Sequence, residues 1–479
     1  MSSPFKSKIT AIRSDRGFAE IIVGSLYAIS GRVAAMVMAL GSTMIVARYY
    51  GAHIMGILAM VESFLMLATV LTVAGTGTSI LRLIPEHTAR YSTTSAFHVY
   101  RKTQYLVGAI SIVTGSVLFL ASDLIASRLF SKPELGGFFA LASAFVCAKS
   151  LMLLNTQAVR GLYLTRAFGF MQGLPALSMF VLVGSGTLLL ENRYAPIYAQ
   201  LGAFAVTALV GMLIVERTFR DRMVPGDAVC AMPLGDILAI SLPMLMASTM
   251  TFVIGQTGVI MLGMYRSETD VGYYASAVKL AGLTAFVLAA INSSAAPRFS
   301  QLFHTGQVTE VLRVAQKSAS LIFWVTTPIL LTLLIAGKTI LLLLFGPEFT
   351  VAYFAMVFLV IGQFVNSISG STGMFLNMTG RQKVYRNLMA ASALLNVGMN
   401  LVLIPRFGIE GAAFSAMVTL AGWNVYALLY IKAQFGETIG YLPGVTRSRG
   451  SGAKRRPQAE NLDSDPVAGA GARPRNSEI

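Results

Sequence analysis

Twelve times along this chain a mainly apolar run reaches the length of a membrane crossing. A helix rises about 1.5 Å per residue, so about 20 such residues cross the hydrocarbon core of a bilayer. The runs fall at roughly 21–47, 54–80, 103–127, 138–159, 169–190, 197–215, 236–262, 272–292, 318–336, 350–375, 385–404 and 411–431. They are numbered here as spans 1 to 12. In lipid a spanning segment must satisfy its own backbone hydrogen bonds, which for runs of this length means helix. The expected fold is therefore all-α, an integral membrane bundle of twelve transmembrane helices. Charged residues make up 12% of the chain, about half the share in an average soluble domain.

An even number of spans puts both termini on one side, and the positive-inside rule chooses the side. With the termini inside, the inner loops hold fifteen basic residues: Arg82, Arg90, Arg101, Lys102, Arg160, Arg166, Arg217, Arg220, Arg222, Arg298, Arg313, Lys317, Arg381, Lys383 and Arg386. The outer loops hold seven: Arg48, Arg128, Lys132, Arg193, Arg266, Lys338 and Arg406. The termini are expected in the cytoplasm. The net charge of +16 does not point to nucleic acid, because the basic residues sit in short loops and a tail between spans that cannot leave a membrane. Residues 1–20 are polar and basic, and the apolar run that follows is too long for a cleavable signal. The segment after about 440 is rich in Gly, Ser, Pro and charge, with KRR at 454–456, and reads as a disordered tail near anionic headgroups. Cys147 and Cys230 make neither a disulfide framework nor a metal cluster.

The chain repeats itself. LFSKPEL at 129–135 and LFGPEF at 344–349 both interrupt apolar runs on outer loops. GILA at 56–59 matches GYYA at 272–275, and LLLENRY at 188–194 matches LVLIPRF at 401–407. These landmarks keep their order at a nearly constant offset. Six spans written twice give two copies of the same orientation, a parallel repeat of the kind transporters use, with the substrate site near the midplane where the repeats meet. The expected organisation is a cytoplasmic segment 1–20, a six-helix bundle 21–215, a linker 216–235, a second six-helix bundle 236–431 and a tail 432–479, with a central cavity between the bundles. The Pro-Glu pairs themselves suit helix starts, with Pro in the first turn and Glu at its positive end.

ARYYGAHIMG at 47–56, LFGPEFTVA at 344–352, LNMTGRQK at 376–383 and above all NLVLIPRFGIEGAAFS at 400–415 resemble the polysaccharide flippases (Wzx-type) of the multidrug/oligosaccharidyl-lipid/polysaccharide exporter superfamily. The resemblance covers roughly residues 15–435. It implies a V-shaped pair of six-helix bundles working by alternating access. It also implies a lipid-linked oligosaccharide as substrate, carried on undecaprenyl pyrophosphate from the cytoplasmic to the periplasmic leaflet of a bacterial inner membrane for O-antigen or exopolysaccharide assembly. Membrane lipids, with polysaccharide polymerase and chain-length proteins, would be its partners; no cofactor and no nucleic acid are expected.

Ionisable residues in mid-bilayer are costly and usually face a wet interior. Four stand there: Arg32, Glu62, Lys149 and Lys279. Arg32 lies on a stripe of small residues with Ser25, Ala28, Ala35, Ala39 and Ser42, and Lys279 on one with Gly272, Ala275 and Gly282. Arg32, Lys279 and Lys149 are the candidate binders of a pyrophosphate, Arg as a planar fork and Lys as a point charge. The alternative for Arg32 and Lys279 is a buried ion pair with Glu62; for Lys149 it is snorkelling or neutralising Asp123. Glu62, which aligns close to Lys279, is the candidate for coupling or gating. Asn396 and Asn400, one turn apart, read as interhelical glue rather than a sugar site.

Two other classes compete. A cation or drug antiporter of the same superfamily needs interior carboxylates, but three basic residues face one acidic, which favours an anionic substrate. A membrane enzyme of the same pathway needs catalytic groups in sizeable outer loops; these loops are short, and the chain's four histidines show no metal-ligand spacing. The chain is not expected to be an enzyme. A peptidoglycan-precursor flippase is a nearer rival, although that group commonly carries two further spans.

Overall fold

The computed structural model describes residues 33–443, apart from 190–191, 225–226, 228 and 231. Among the described residues the chain is helical, with no strand. Eight helices are long and apolar enough to cross a membrane, or ten if each of two bent pairs is one span. Two of these are hairpins. Val33–Val73 runs 41 residues and Gln382–Phe435 runs 54. At 1.5 Å per residue the longer would reach about 80 Å, far beyond a bilayer. Each holds one glycine outside helical backbone, Gly51 (φ 77°, ψ 177°) and Gly408 (φ 57°, ψ −127°), angles that glycine adopts without a Cβ clash. Divided at these glycines, the helices accommodate the twelve expected spans, the first being described from Val33.

Several spans differ in detail from the expected runs. Span 2 stops at Val73, where Ala74 and Gly75 turn left-handed, and a second helix, Thr76–Arg90, carries on. Span 10 stops at Ser369, where Gly370 has φ 68°. Spans 4 and 8 are each bent. Pro133–Ala144 meets Val146–Gly161 at 45°, and Glu268–Ala281 meets Leu283–Asn292 at 41°. Apolar patterning cannot show these breaks, because both arms of a bent span remain in lipid.

The buried apolar residues show how the halves are joined. One large cluster draws on both, with Val61, Leu65 and Phe139 packed alongside Val271, Leu280, Phe345 and Phe349. It lies toward the end that holds the Gly51, Pro133, Ser267 and Pro347 turns, the outer end by the loop-charge count. Toward the other end there are two clusters. Ile80, Tyr100, Leu154 and Phe219 belong to the first half, and Phe299, Phe375 and Ile431 to the second. The bundles share a large core outside; inside, the first-half cluster takes in only the start of span 7, through Ile237, with Ser79 and Ser241 hydrogen-bonded at 2.6 Å.

Span 2 and span 8 cross at glycines where the halves meet. A Cβ on Gly56 would lie 1.7 Å from the Glu268 carbonyl oxygen, and one on Gly272 would lie 2.0 Å from that of Ala52. Positions 52 and 268 differ by the same 216 as 56 and 272, so the contact is reciprocal, as a two-fold relation requires. The repeated turns act across this junction. Glu348 of the second turn accepts a hydrogen bond from the Ala52 amide at 3.0 Å. Lys132 of the first turn pairs with Glu268 at 3.1 Å, again at positions 216 apart. Both Pro-Glu pairs do open short helices, Pro133–Leu135 and Pro347–Ala352, with Pro in the first turn. Each turn also braces the start of a span in the opposite half.

Candidate functional site

Glu62 stands eleven residues into the Gly51–Val73 helix, and Lys279 eleven into Glu268–Ala281. Both therefore lie about 16 Å below the outer turns, near the middle of a bilayer core of about 30 Å. Spans 2 and 8 start together at the outer end and cross at Gly56 and Gly272, which brings the faces below the crossing toward one space.

That space is a cavity of about 170 Å³ lined by Ser42, Thr43, Leu58, Glu62, Pro175, Gln200, Phe204 and Lys279, among others. Lys279 is the one lining residue from the second half. Its ammonium donates to Thr43 Oγ1 at 2.8 Å. An ammonium carries three donors, and this is the one acceptor it meets among the described residues.

The expected pairing of Glu62 with Lys279 is not formed. Glu62 is held within the first half, where one carboxylate oxygen accepts from Lys149 Nζ and the other from Gln200 Nε2. Lys149 neither snorkels nor neutralises Asp123. It reaches across from span 4, 8% exposed against 33% for Glu62, with its ammonium 4.2 Å from the centre of the Phe204 ring. The physical reason is the bend in span 4. The helix breaks at Phe145, and the arm that follows carries Lys149 inward toward span 2. Buried between an aromatic face and a carboxylate, Lys149 has its charge balanced. The cavity wall thus carries one lysine and one carboxylate; Lys149, behind that wall, already balances Glu62, and Lys279 is the cation that no carboxylate contacts among the described residues.

Arg32 lies outside the described residues. Its small-residue stripe continues into view at Ala39 and Ser42, both lining the cavity. Asn396 and Asn400 are buried. Asn396 donates to Thr419 Oγ1 across the last hairpin at 3.2 Å, an interhelical contact as expected, whereas Asn400 donates to the Asn396 carbonyl at 2.8 Å within its own span. Gln200, Thr43 and Phe204 were not singled out from sequence. Gln200 could have been, as a polar residue in the apolar run YAQLGA. Thr43 and Phe204 carry no such mark. Among the described residues no group of three or more His, Cys, Asp or Glu is placed to hold a metal.

Comparison with known proteins agrees with this architecture. The family described as Polysaccharide biosynthesis protein matches residues 21–303, and the family described as MatE matches residues 243–402. The probable low-salt glycan biosynthesis flippase Agl15 of Haloferax volcanii is 24% identical over 175 residues, 36% of this chain and 37% of that protein. The match therefore spans little more than a third of that relative's length. An inward-facing multidrug resistance MATE family transporter of the MOP superfamily superposes with a TM-score of 0.68 at 14% identity, covering 86% of this chain and 98% of that one. The lipid II flippase MurJ, in an inward closed conformation, superposes with a TM-score of 0.68 at 10% identity, covering 85% and 87%. At such identities the likeness is one of fold.

Proposed function

Because this chain belongs to the polysaccharide biosynthesis protein family, we propose that it is a flippase that carries a lipid-linked oligosaccharide across the membrane by alternating access. The observation that carries this reading is the sign of the mid-membrane cavity. The one lining carboxylate, Glu62, is balanced by Lys149 from behind the wall, and the ammonium of Lys279 retains donors that no carboxylate among the described residues takes up. Such a site attracts a di-anionic pyrophosphate and repels a cation. That sign favours a lipid pyrophosphate over the cationic substrate of a drug antiporter. The direction is from the cytoplasmic to the periplasmic leaflet of a bacterial inner membrane, with both termini cytoplasmic. The glycan class is a surface polysaccharide repeat, O-antigen or exopolysaccharide.

The mechanism follows from the two kinds of core. The bundles are parallel repeats that share a large apolar cluster outside and are tied inside only by the start of span 7, at Ile237 and Ser241, an arrangement suited to loading from the cytoplasm. Lys279 belongs to the second bundle but lines the cavity of the first. An arriving pyrophosphate competes with Thr43 for that ammonium and loosens the tie between the halves. Rocking then opens the outer junction at Gly56 and Gly272. Glu62, held by Lys149 and Gln200, keeps Lys149 neutralised and orients the cavity wall. Nothing in this cycle makes or breaks a covalent bond in the substrate, so the protein acts as a transporter rather than an enzyme.

The test is reconstitution into vesicles with a fluorescent polyprenyl-pyrophosphate-linked disaccharide, followed by quenching from outside. Flipping above that of empty vesicles, reduced in Lys279→Met at equal protein content, is expected. Flipping indistinguishable from empty vesicles, together with uptake of a cationic dye, would overturn the reading in favour of an antiporter.

A further inference from the structure

In the second bundle, span 10 and the last hairpin leave a groove of about 480 Å³ between their outer ends. Its lining is Phe354, Phe358, Leu403, Phe407, Phe414 and Gly411, with a single charged residue, Glu410. Phe358 and Phe414 meet edge to face, ring centres 5.5 Å apart. Gly411 lets the two arms of the hairpin approach closely beside the groove, since a Cβ there would lie 2.5 Å from the Leu403 carbonyl oxygen. Phe354 is 64% and Phe407 57% exposed. The halves are closed on each other at this end, so an open apolar groove at this level faces the bilayer.

We propose that this groove holds one acyl chain of a zwitterionic aminophospholipid, with Glu410 as the counter-ion of its ammonium. Depth and charge both point there. Glu410 comes two residues after the turn at Gly408, at headgroup level, whereas Phe414 comes six residues after it, about 9 Å deeper. A polar mouth above an aromatic slot matches an amphiphile with its head up and its chain down. Glu410 makes no hydrogen bond or ion pair among the described residues, and a carboxylate beside apolar walls gains from a cation that water alone supplies poorly. Arg406, exposed two residues before the same turn, sets a positive charge at the same level. Together they complement a phosphate beside a primary ammonium. A primary ammonium donates hydrogen bonds to a carboxylate, which a trimethylammonium cannot do. A lipid pyrophosphate or phosphatidylglycerol would meet Glu410 as a like charge. The site is independent of the glycan reading, because it concerns the host bilayer and not the transported lipid.

The experiment is native mass spectrometry of the full-length protein exchanged into equal mixtures of phosphatidylethanolamine, phosphatidylcholine and phosphatidylglycerol of identical chains. Wild type should retain phosphatidylethanolamine over the other two by about fivefold, the scale of one partly exposed ion pair. Glu410→Gln should abolish that preference, and Glu410→Lys should reverse it toward phosphatidylglycerol. Equal retention of all three lipids by wild type, a wild-type preference for phosphatidylglycerol, or a preference that survives Glu410→Gln would each overturn the proposal.

Discussion

Adding one methyl group at Gly56 should change which way this protein opens. In the structure a Cβ at that position would lie 1.7 Å from the Glu268 carbonyl oxygen, where ordinary contact begins at 3.4 Å. Spans 2 and 8 would therefore have to part by about 1.7 Å at the junction of the halves. Alanine is the better helix former, so the substitution does not harm span 2 itself. The penalty is overpacking, about 1–3 kcal/mol, and it applies only while the outer end is shut. Charged to that state alone, it moves the equilibrium toward outward opening by about 5- to 150-fold. Gly272→Ala should act with the same sign, since its Cβ would lie 2.0 Å from the Ala52 oxygen. The double variant should fall short of the sum, because either methyl alone already separates the helices. Gly108→Ala, with nothing within 4 Å of its Cβ, is the control. The assay is pulsed electron spin resonance between labels at Asn192 and Arg406, both exposed at the outer end in opposite halves, with Cys147 and Cys230 replaced. A longer or broader distance distribution in Gly56→Ala than in Gly108→Ala is expected. An unchanged distribution in well-expressed Gly56→Ala would refute the idea that this crossing is the outer seal.

Three further outcomes are expected. Glu62→Gln leaves Lys149 buried without a counter-charge, a loss of about 3–5 kcal/mol if burial were complete and less here because Glu62 is one third exposed; Lys149→Met should recover part of the lost glycan export in the double variant, whereas Lys279→Met should not, and equal recovery by both would contradict the pairing seen here. Arg32→Ala should abolish export at normal membrane abundance while Arg32→Lys keeps part of it, and full export by a well-expressed Arg32→Ala protein would remove Arg32 from substrate binding. A periplasmic phosphatase fused after Lys432 should be inactive and a fluorescent reporter fused there should glow; the opposite result reverses the assigned orientation.

Much of this protein was legible in its sequence because lipid leaves few choices. Apolar runs of bilayer length must be helices, so the all-α membrane fold followed from run lengths alone. The turns were legible too: the Pro-Glu pairs fall where helix starts were expected. The four interior charges were visible because any charge in such a run is conspicuous. Their partners were not. The repeat offset suggested Glu62 opposite Lys279, and both do line one cavity at equal depth. Yet the ion pair goes to Lys149, because span 4 bends at Phe145, and a bend between two apolar arms leaves no trace in hydropathy. The same holds for Gly56. In sequence it is one glycine among 44; only the crossing of spans 2 and 8 shows that no side chain can stand there. Run length and charge are properties of a segment and its solvent, and sequence determines them. Pairing, bending and close approach are properties of two segments at once, and only the tertiary structure decides them.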